Sequence, residues 1–171
     1  MFNRKKYEQD AVNLYRSTNA AILSTMSKKY EGYPFGSFIT YATDKSRTLF
    51  MYTSDIAQHT KNLKNDSKAC VTLFKLDTEY DKQNSSRLTL MGDLKKVPKD
   101  DLDDCQERFV KFLPESKKYS SMHDFKFYKL EISRVRWIGG FGDIAWINPK
   151  NWKDDSPKWS KNEKMMIDHM N

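Results

Sequence analysis

The sequence is poor in the features that would assign it at sight. It holds two cysteines in 171 residues, Cys70 and Cys105, with no CxxC spacing. Neither a disulfide framework nor a zinc site is written in that pattern. No apolar run approaches the roughly 18 residues of a membrane span, and the opening "MFNRKKYEQD" lacks the apolar core of a signal peptide. The expectation is a soluble, cytoplasmic protein with no membrane partner. GxSxG, HExxH and Walker sequences are absent, which removes the usual support for hydrolase and nucleotide-hydrolase chemistry. There is no arginine-rich block and no RNA-binding aromatic signature. The net charge is +7, carried by lysines interleaved with acids as in "KKVPKDDLDD". The expectation is therefore no nucleic acid, and a basic surface suited to an anionic small molecule.

What is present is a chain of one-domain length with 13% aromatic residues, more than a disordered chain carries. In "NRKKYEQDAVNLYRST", Tyr7, Ala11, Leu14 and Tyr15 recur at helical spacing, so an amphipathic helix opens the chain. Short β-branched and aromatic runs follow: "AAILSTMS", "FGSFITYAT", "TLFMYT", "ACVTLFKLD", "RLTLMGDLKKV" and "DFKFYKLEI". Between the last two, Pro98 and the acidic "KDDLDD" open a helix through "CQERFVKFL", where acids suit the positive helix end. The pattern reads as mainly β with helices, a small barrel of antiparallel strands. Residues 1–150 form the expected barrel domain with its N-terminal helix, and residues 151–171 a tail that needs a surface to lie on.

Chemistry concentrates in "SDIAQHTKNL", Ser54 to Leu63, directly after the apolar run "TLFMYT". A strand running into a polar turn and a helix start presents unpartnered N–H groups, a natural place for an anion. Ser54 and Thr60 add hydroxyls, His59 a ring N–H, and Lys61 a charge. The alternative is a well-capped helix, with Ser54 or Asp55 as the cap of a helix running to about Asn65 and with His59 and Thr60 outside the core. "GGFG", Gly139 to Gly142, lacks the GxGxxG spacing of a dinucleotide fingerprint and reads as a bulge or sharp bend. His123 and His169 are isolated in sequence, and Cys70 inside "ACVTLF" reads as a small apolar filler.

The blocks "GYPFGSFITYATD", "SDIAQHTKNLKNDSKACVTLF", "RLTLMGDLKKV" and "DFKFYKLEISRVRWIGGFGDIAWI", together with "AAILSTMS", cover most of residues 20–147. In that order they resemble the FMN-binding split-barrel superfamily of pyridoxamine 5'-phosphate oxidase, and within it the short HugZ/HutZ-type haem-utilisation proteins. The resemblance implies a six-stranded Greek-key split barrel, homodimeric, with two cofactor sites at the subunit interface. In flavin-binding members the isoalloxazine edge lies against the strand that here is Ser37, Phe38, Ile39 and Thr40. The flavin phosphate lies near the turn that here carries Ser54, His59, Thr60, Lys61 and Asn62.

In the haem branch the same interface holds haem, with a histidine of the C-terminal tail on the iron. Here that residue is His169, and imidazole is a common haem ligand. The resemblance also implies that Arg87 approaches a haem propionate, and that Asp124 is the catalytic carboxylate fixing the second nitrogen of the ligand imidazole. Three functions follow as expectations. The first is oxidative haem degradation that releases iron with electrons from an external donor. The second is an FMN-dependent oxidoreductase, and the third a non-catalytic carrier of haem or flavin.

Overall fold

Period-two alternation builds most of the molecule. The computed structural model describes residues 4–153, in which eight strands form one antiparallel sheet. The strands are β1 (Ala20–Met26), β2 (Pro34–Thr40), β3 (Ala42–Thr43), β4 (Leu49–Ser54), β5 (Lys68–Lys75), β6 (Ser86–Lys96), β7 (Phe125–Ile138) and β8 (Ile144–Ile147). Six are long, matching the expected six, and the two-residue β3 and four-residue β8 are short additions at the margins. The order is β2-β1-β5-β6-β7-β4-β3, with β8 pairing the C-terminal half of β7. The sheet is curled, and one face is the core.

That inner face is read directly from register. Leu23 pairs Val71, Val71 pairs Leu90, Leu90 pairs Val135 and Val135 pairs Ile147, so five strands place an apolar side chain in one buried row. Burying each such side chain is worth about 1.5–3 kcal/mol. Helix α1 (Arg4–Arg16) lies on this face, with Tyr7, Ala11, Leu14 and Tyr15 all in the core, as the helical spacing predicts. Tyr15 stacks on Tyr41 at 5.7 Å and meets the edge of Trp152 at 5.2 Å. Trp152 ends the short helix α4 (Pro149–Trp152), and the backbone carbonyl of Trp152 accepts from Arg47. No helix among the described residues is long and apolar enough to cross a membrane.

The consecutive strands β4 and β5 are separated in the sheet by β7 and β6, so the chain crosses one end of the barrel between them. Helix α2 (Gln58–Asn65) makes that crossing, which is why the polar turn predicted from sequence sits at the barrel's end. A second helix, α3 (Leu102–Phe112), follows a 3₁₀ turn over Lys99–Asp101 and covers part of the outer face. Its Cys105, Phe109 and Phe112 pack with Ala42, Val97, Leu113 and Phe127, and with the partly buried Phe50 and Tyr52. Tyr52 stacks on Phe127 at 4.2 Å beneath it. Burial pushes the Cys105 thiol up to about 12, so this cysteine is a core filler rather than a nucleophile. The "PESKKY" connector is a 3₁₀ helix, Pro114–Tyr119.

Gly92 marks a constraint on the longest strand pair. The β6–β7 register shifts between Met91 and Gly92, and a Cβ at Gly92 would lie 2.0 Å from the carbonyl oxygen of Glu131. Only a residue without a side chain lets the two backbones approach this closely at the bulge. Gly92→Ala should destabilise the fold by about 1–3 kcal/mol, the usual cost of forced overpacking. A urea midpoint equal to the parent's would show that the bulge relaxes freely.

Candidate functional site

Two surfaces carry the residues singled out from sequence, and the fold separates them. The first is the β4–α2 turn. Thr53, buried near the end of β4, is its hub: its Oγ1 lies 2.7 Å from His59 Nε2 and 3.3 Å from Thr60 Oγ1. Thr60 is 0% exposed, so it belongs to the interior and not to the rim that the sequence pattern suggests. Asn62 is also 0% exposed; its Nδ2 donates to Thr25 Oγ1 at 3.0 Å, and its Oδ1 accepts from the Lys28 amide at 3.0 Å and from Gln58 Nε2 at 2.9 Å. It pins α2 to β1 and to the β1–β2 hairpin.

The helix start also differs from the expected cap. Ala57 is the N-cap of α2, and no side chain caps it. Ser54 instead accepts from the Ile56 amide at 3.2 Å and donates its hydroxyl to Asp124 Oδ2. The Asp55 amide donates to the Asp124 carbonyl at 2.8 Å. Asp55 pairs with Lys64 at 2.9 Å, and that hydrogen bond and charge hold its carboxyl below the ordinary range. Asp124 is at hand because it lies directly before β7, which pairs with β4 and sets Ser54 opposite Phe125. Of the five turn residues expected at the flavin phosphate, Ser54, His59 and Lys61 reach the surface while Thr60 and Asn62 are spent inside. The turn presents a carboxylate beside its hydroxyl, poor company for a phosphate dianion.

The second surface is the outer face of the sheet beyond α3. Register aligns Phe38, Ile22, Thr72, Thr89, Arg136 and Trp146 in one row across six strands. On one side of it lie Phe74, Arg87, Ile138 and Ile144; on the other, Gly36, Ser24, Cys70, Met91 and Arg134. Small side chains make the middle flat, and the flanks hold exposed aromatics, Phe38 at 70% and Trp146 at 62%. These three rows contain three arginines and no carboxylate. The Arg136 guanidinium lies 5.0 Å from the centre of the Trp146 ring, a cation–π pair. Cys70 is half-buried on this face rather than a core filler.

The expected cofactor residues distribute as follows. Ser37 and Ile39 point to the inner face of β2, while Phe38 and Thr40 point to the outer one. Arg87 stands on the outer face, its Nη1 donating to the carbonyls of Gln83 and Ser85 at 3.1 Å each. It lies five residues along β6 from Gly92, which is level with Thr25 and the α2 end. At about 3.3 Å per residue the two sites are offset by roughly 16 Å along the strand direction in one chain. Asp124 joins the turn, and His169 lies outside the described residues. Sequence reasoning missed Arg134, Arg136 and Trp146. The alternation in "RVRWIGGFGDIAW" was the available signal, since it places both arginines opposite the core-facing Val135 and Trp137.

Comparison with known proteins follows from this geometry. A family model described as CREG, beta-barrel matches residues 3–154. The chain is similar to the non-canonical heme oxygenase HOZ, chloroplastic, of Arabidopsis thaliana, with 34% identity over 119 residues, 70% of this chain and 36% of that protein. It is similar to Protein CREG1 of Mus musculus, with 27% identity over 144 residues, 77% of this chain and 65% of that one. The chain thus spans between about a third and two thirds of the length of these curated relatives. Among solved structures, a heme binding protein from Mycobacterium smegmatis superposes with a TM-score of 0.78 at 28% identity, covering 85% of this chain and 59% of that one. HutZ, described as the heme storage protein from Vibrio cholerae, superposes with a TM-score of 0.63 at 20% identity over 75% of this chain and 92% of that one, a likeness of fold alone. The fold is that of the split-barrel proteins.

Burial holds the His59 imidazole below its ordinary value of 6.5. A group with a depressed basic pKa contributes stability that is complete above 6.5 and lost as the pH falls through the folded value. The parent should therefore lose stability on going from pH 7 towards pH 5, and His59→Gln should flatten that part of the profile in urea titrations. An unchanged slope would mean that His59 takes up its proton without disturbing Thr53.

Proposed function

The chain belongs to the CREG β-barrel family, and on that premise we propose that it binds haem on the open rows of its sheet, between two copies, and cleaves the ring oxidatively to release iron. One observation carries the reading: a flat face that the described residues leave uncovered, with aromatic flanks, three arginines and no carboxylate. Haem is a planar apolar body with two carboxylates, so it asks for those two things together. Phe38, Ile22 and Trp146 supply apolar contact, and Arg87, Arg134 and Arg136 supply charge for the propionates. A second copy laid on this face would bury the exposed aromatics and enclose the ring from both sides. Relatives described as a heme oxygenase and a heme binding protein support the ligand.

His169, outside the described residues, is the proposed iron ligand. Asp124, held in place by Ser54 and by the Asp55 amide and set apart from the open rows within one chain, is the proposed carboxylate behind it, reaching the ligand from the other copy. Bound haem supplies the iron at which dioxygen reacts, with electrons from an external reductant. The chain's own share is to orient the ring, match its charge and keep water from one face. We place this chemistry in the cytoplasm, where the free thiols of Cys70 and Cys105 are stable. The flavin reading requires the β4–α2 turn, with Ser54, His59, Thr60, Lys61 and Asn62, to hold a phosphate. The Ser54–Asp124 pair and the buried Thr60 and Asn62 weigh against that. The carrier reading differs from the first only in turnover.

Purified protein should give a Soret shift on titration with haemin and no comparable change with FMN. It should sediment as a dimer with an interface above about 2,000 Å², and lose the Soret band under air with ascorbate. Arg87→Ala and Arg136→Ala should each weaken haemin binding by about 1.5–3 kcal/mol, the worth of a charged hydrogen bond. Binding of FMN in place of haemin would overturn the reading in favour of the oxidoreductase. Haemin binding without loss of the Soret band would leave a carrier.

A further inference from the structure

We infer that Asn84 is a positioning residue, fixing the 139–143 loop so that Phe141 stands beside Arg87 as an apolar wall for the carboxylate-bearing edge of a porphyrin. The inference rests on the haem reading and names residues which that reading does not use. A single 3₁₀ turn, Lys82–Asn84, organises this end of the open face. Asp81 caps it by accepting from the Gln83 amide at 2.9 Å. Its Gln83 carbonyl and the following Ser85 carbonyl hold Arg87 Nη1 at 3.1 Å each. Its Asn84 Oδ1 accepts from the Phe141 amide at 2.9 Å. One short turn therefore holds both the Arg87 guanidinium and the backbone that carries Phe141.

The loop is built to be still. Gly140 has φ +124, and a Cβ there would lie 2.6 Å from Asn84 Oδ1, so the amide reaches Phe141 only because this position is glycine. Gly142 has φ +88 and turns the chain back. The Gly139 amide donates to the Asp143 carbonyl at 2.8 Å, closing the loop, and Tyr7 Oη donates to Asp143 Oδ1 at 3.1 Å, tying it to α1. Between these anchors the Phe141 ring is 74% exposed. A ring carried on a pinned backbone leaves only its own side-chain rotation to be fixed on binding. Ile138, just before the loop, pairs with Arg87, and Ile144, just after it, pairs with Ile138. Phe141 thus adds to the apolar residues Ile138 and Ile144 on one side of the arginine. A ligand served there has an apolar body and a carboxylate at its margin.

The test measures affinity for haemin and for iron-free protoporphyrin IX, the second probe being independent of any iron ligand. Phe141→Ala should weaken both about ten-fold, with an unchanged melting temperature because the ring is exposed. Asn84→Ala should weaken both by a similar factor, and Asn84→Gln, which keeps a neutral acceptor oxygen, should restore part of it. The Asn84→Ala/Phe141→Ala double variant should bind no more weakly than Phe141→Ala alone, as expected when one residue acts through the other. Parent-like affinity of Phe141→Ala would overturn the inference while leaving the haem reading intact, and so would additive losses in the double variant. A parent that binds neither porphyrin would overturn the haem reading itself.

Discussion

A sheet has two faces, and the described residues of this chain cover one and a half of them. The inner face is filled by α1 and by the row Leu23, Val71, Leu90, Val135 and Ile147. On the outer face, α3 covers only the β4 side, where Phe109 and Phe112 pack over Phe127 and Tyr52. The rows from β2 across to β8 remain open, with Phe38 and Trp146 in water. Exposed aromatics scattered singly need no explanation, but here they are aligned by register on one flat surface. The other features of the molecule take their places around that bare area.

Charge divides the surface a second time. The open rows carry Arg87, Arg134 and Arg136 and no acid, whereas the barrel's end mixes Asp55 and Asp124 with Lys64 and Lys126. Both regions have donors, yet only the first has a net field that favours a dianion. Arginine matters here beyond its sign: a guanidinium can stack on Trp146 and still offer in-plane donors to a carboxylate, which a lysine ammonium does not. The overall +7 says little by itself. Its distribution over the sheet is what points to a class of ligand.

Legibility in the sequence followed how local the cause was. The α1 face was readable because Tyr7, Ala11, Leu14 and Tyr15 obey helical spacing, and the hairpins because apolar runs alternate between turn residues. The crossing helix α2 was readable for the same reason, but not its cap. Ser54 looks like a helix cap until β7 brings Asp124 beside it, a partner 70 positions away. Thr60 and Asn62 look exposed until the Thr53 hydroxyl and the Lys28 amide are placed against them. The charged face was hidden in the same way. Arg134 and Arg136 alternate with Val135 and Trp137 in plain view, but which alternate set stays uncovered depends on where α3 ends.

On the proposed reading, the open face also couples association to ligand binding. If two copies meet through these rows, each brings three arginines and no carboxylate to the contact, so the empty interface gathers apolar area and like charge together. Apolar burial favours closure while the guanidinium charges oppose it. A planar dianion between the copies changes the balance twice: it fills the flat middle formed by Thr72, Thr89 and Cys70, and it pairs charges that would otherwise repel. By linkage, whatever the ligand adds to dimer affinity the dimer adds to ligand affinity. On this reading the arginines do more than recruit haem: by penalising the empty interface, they make the filled one the state in which the sheet's bare half is properly covered.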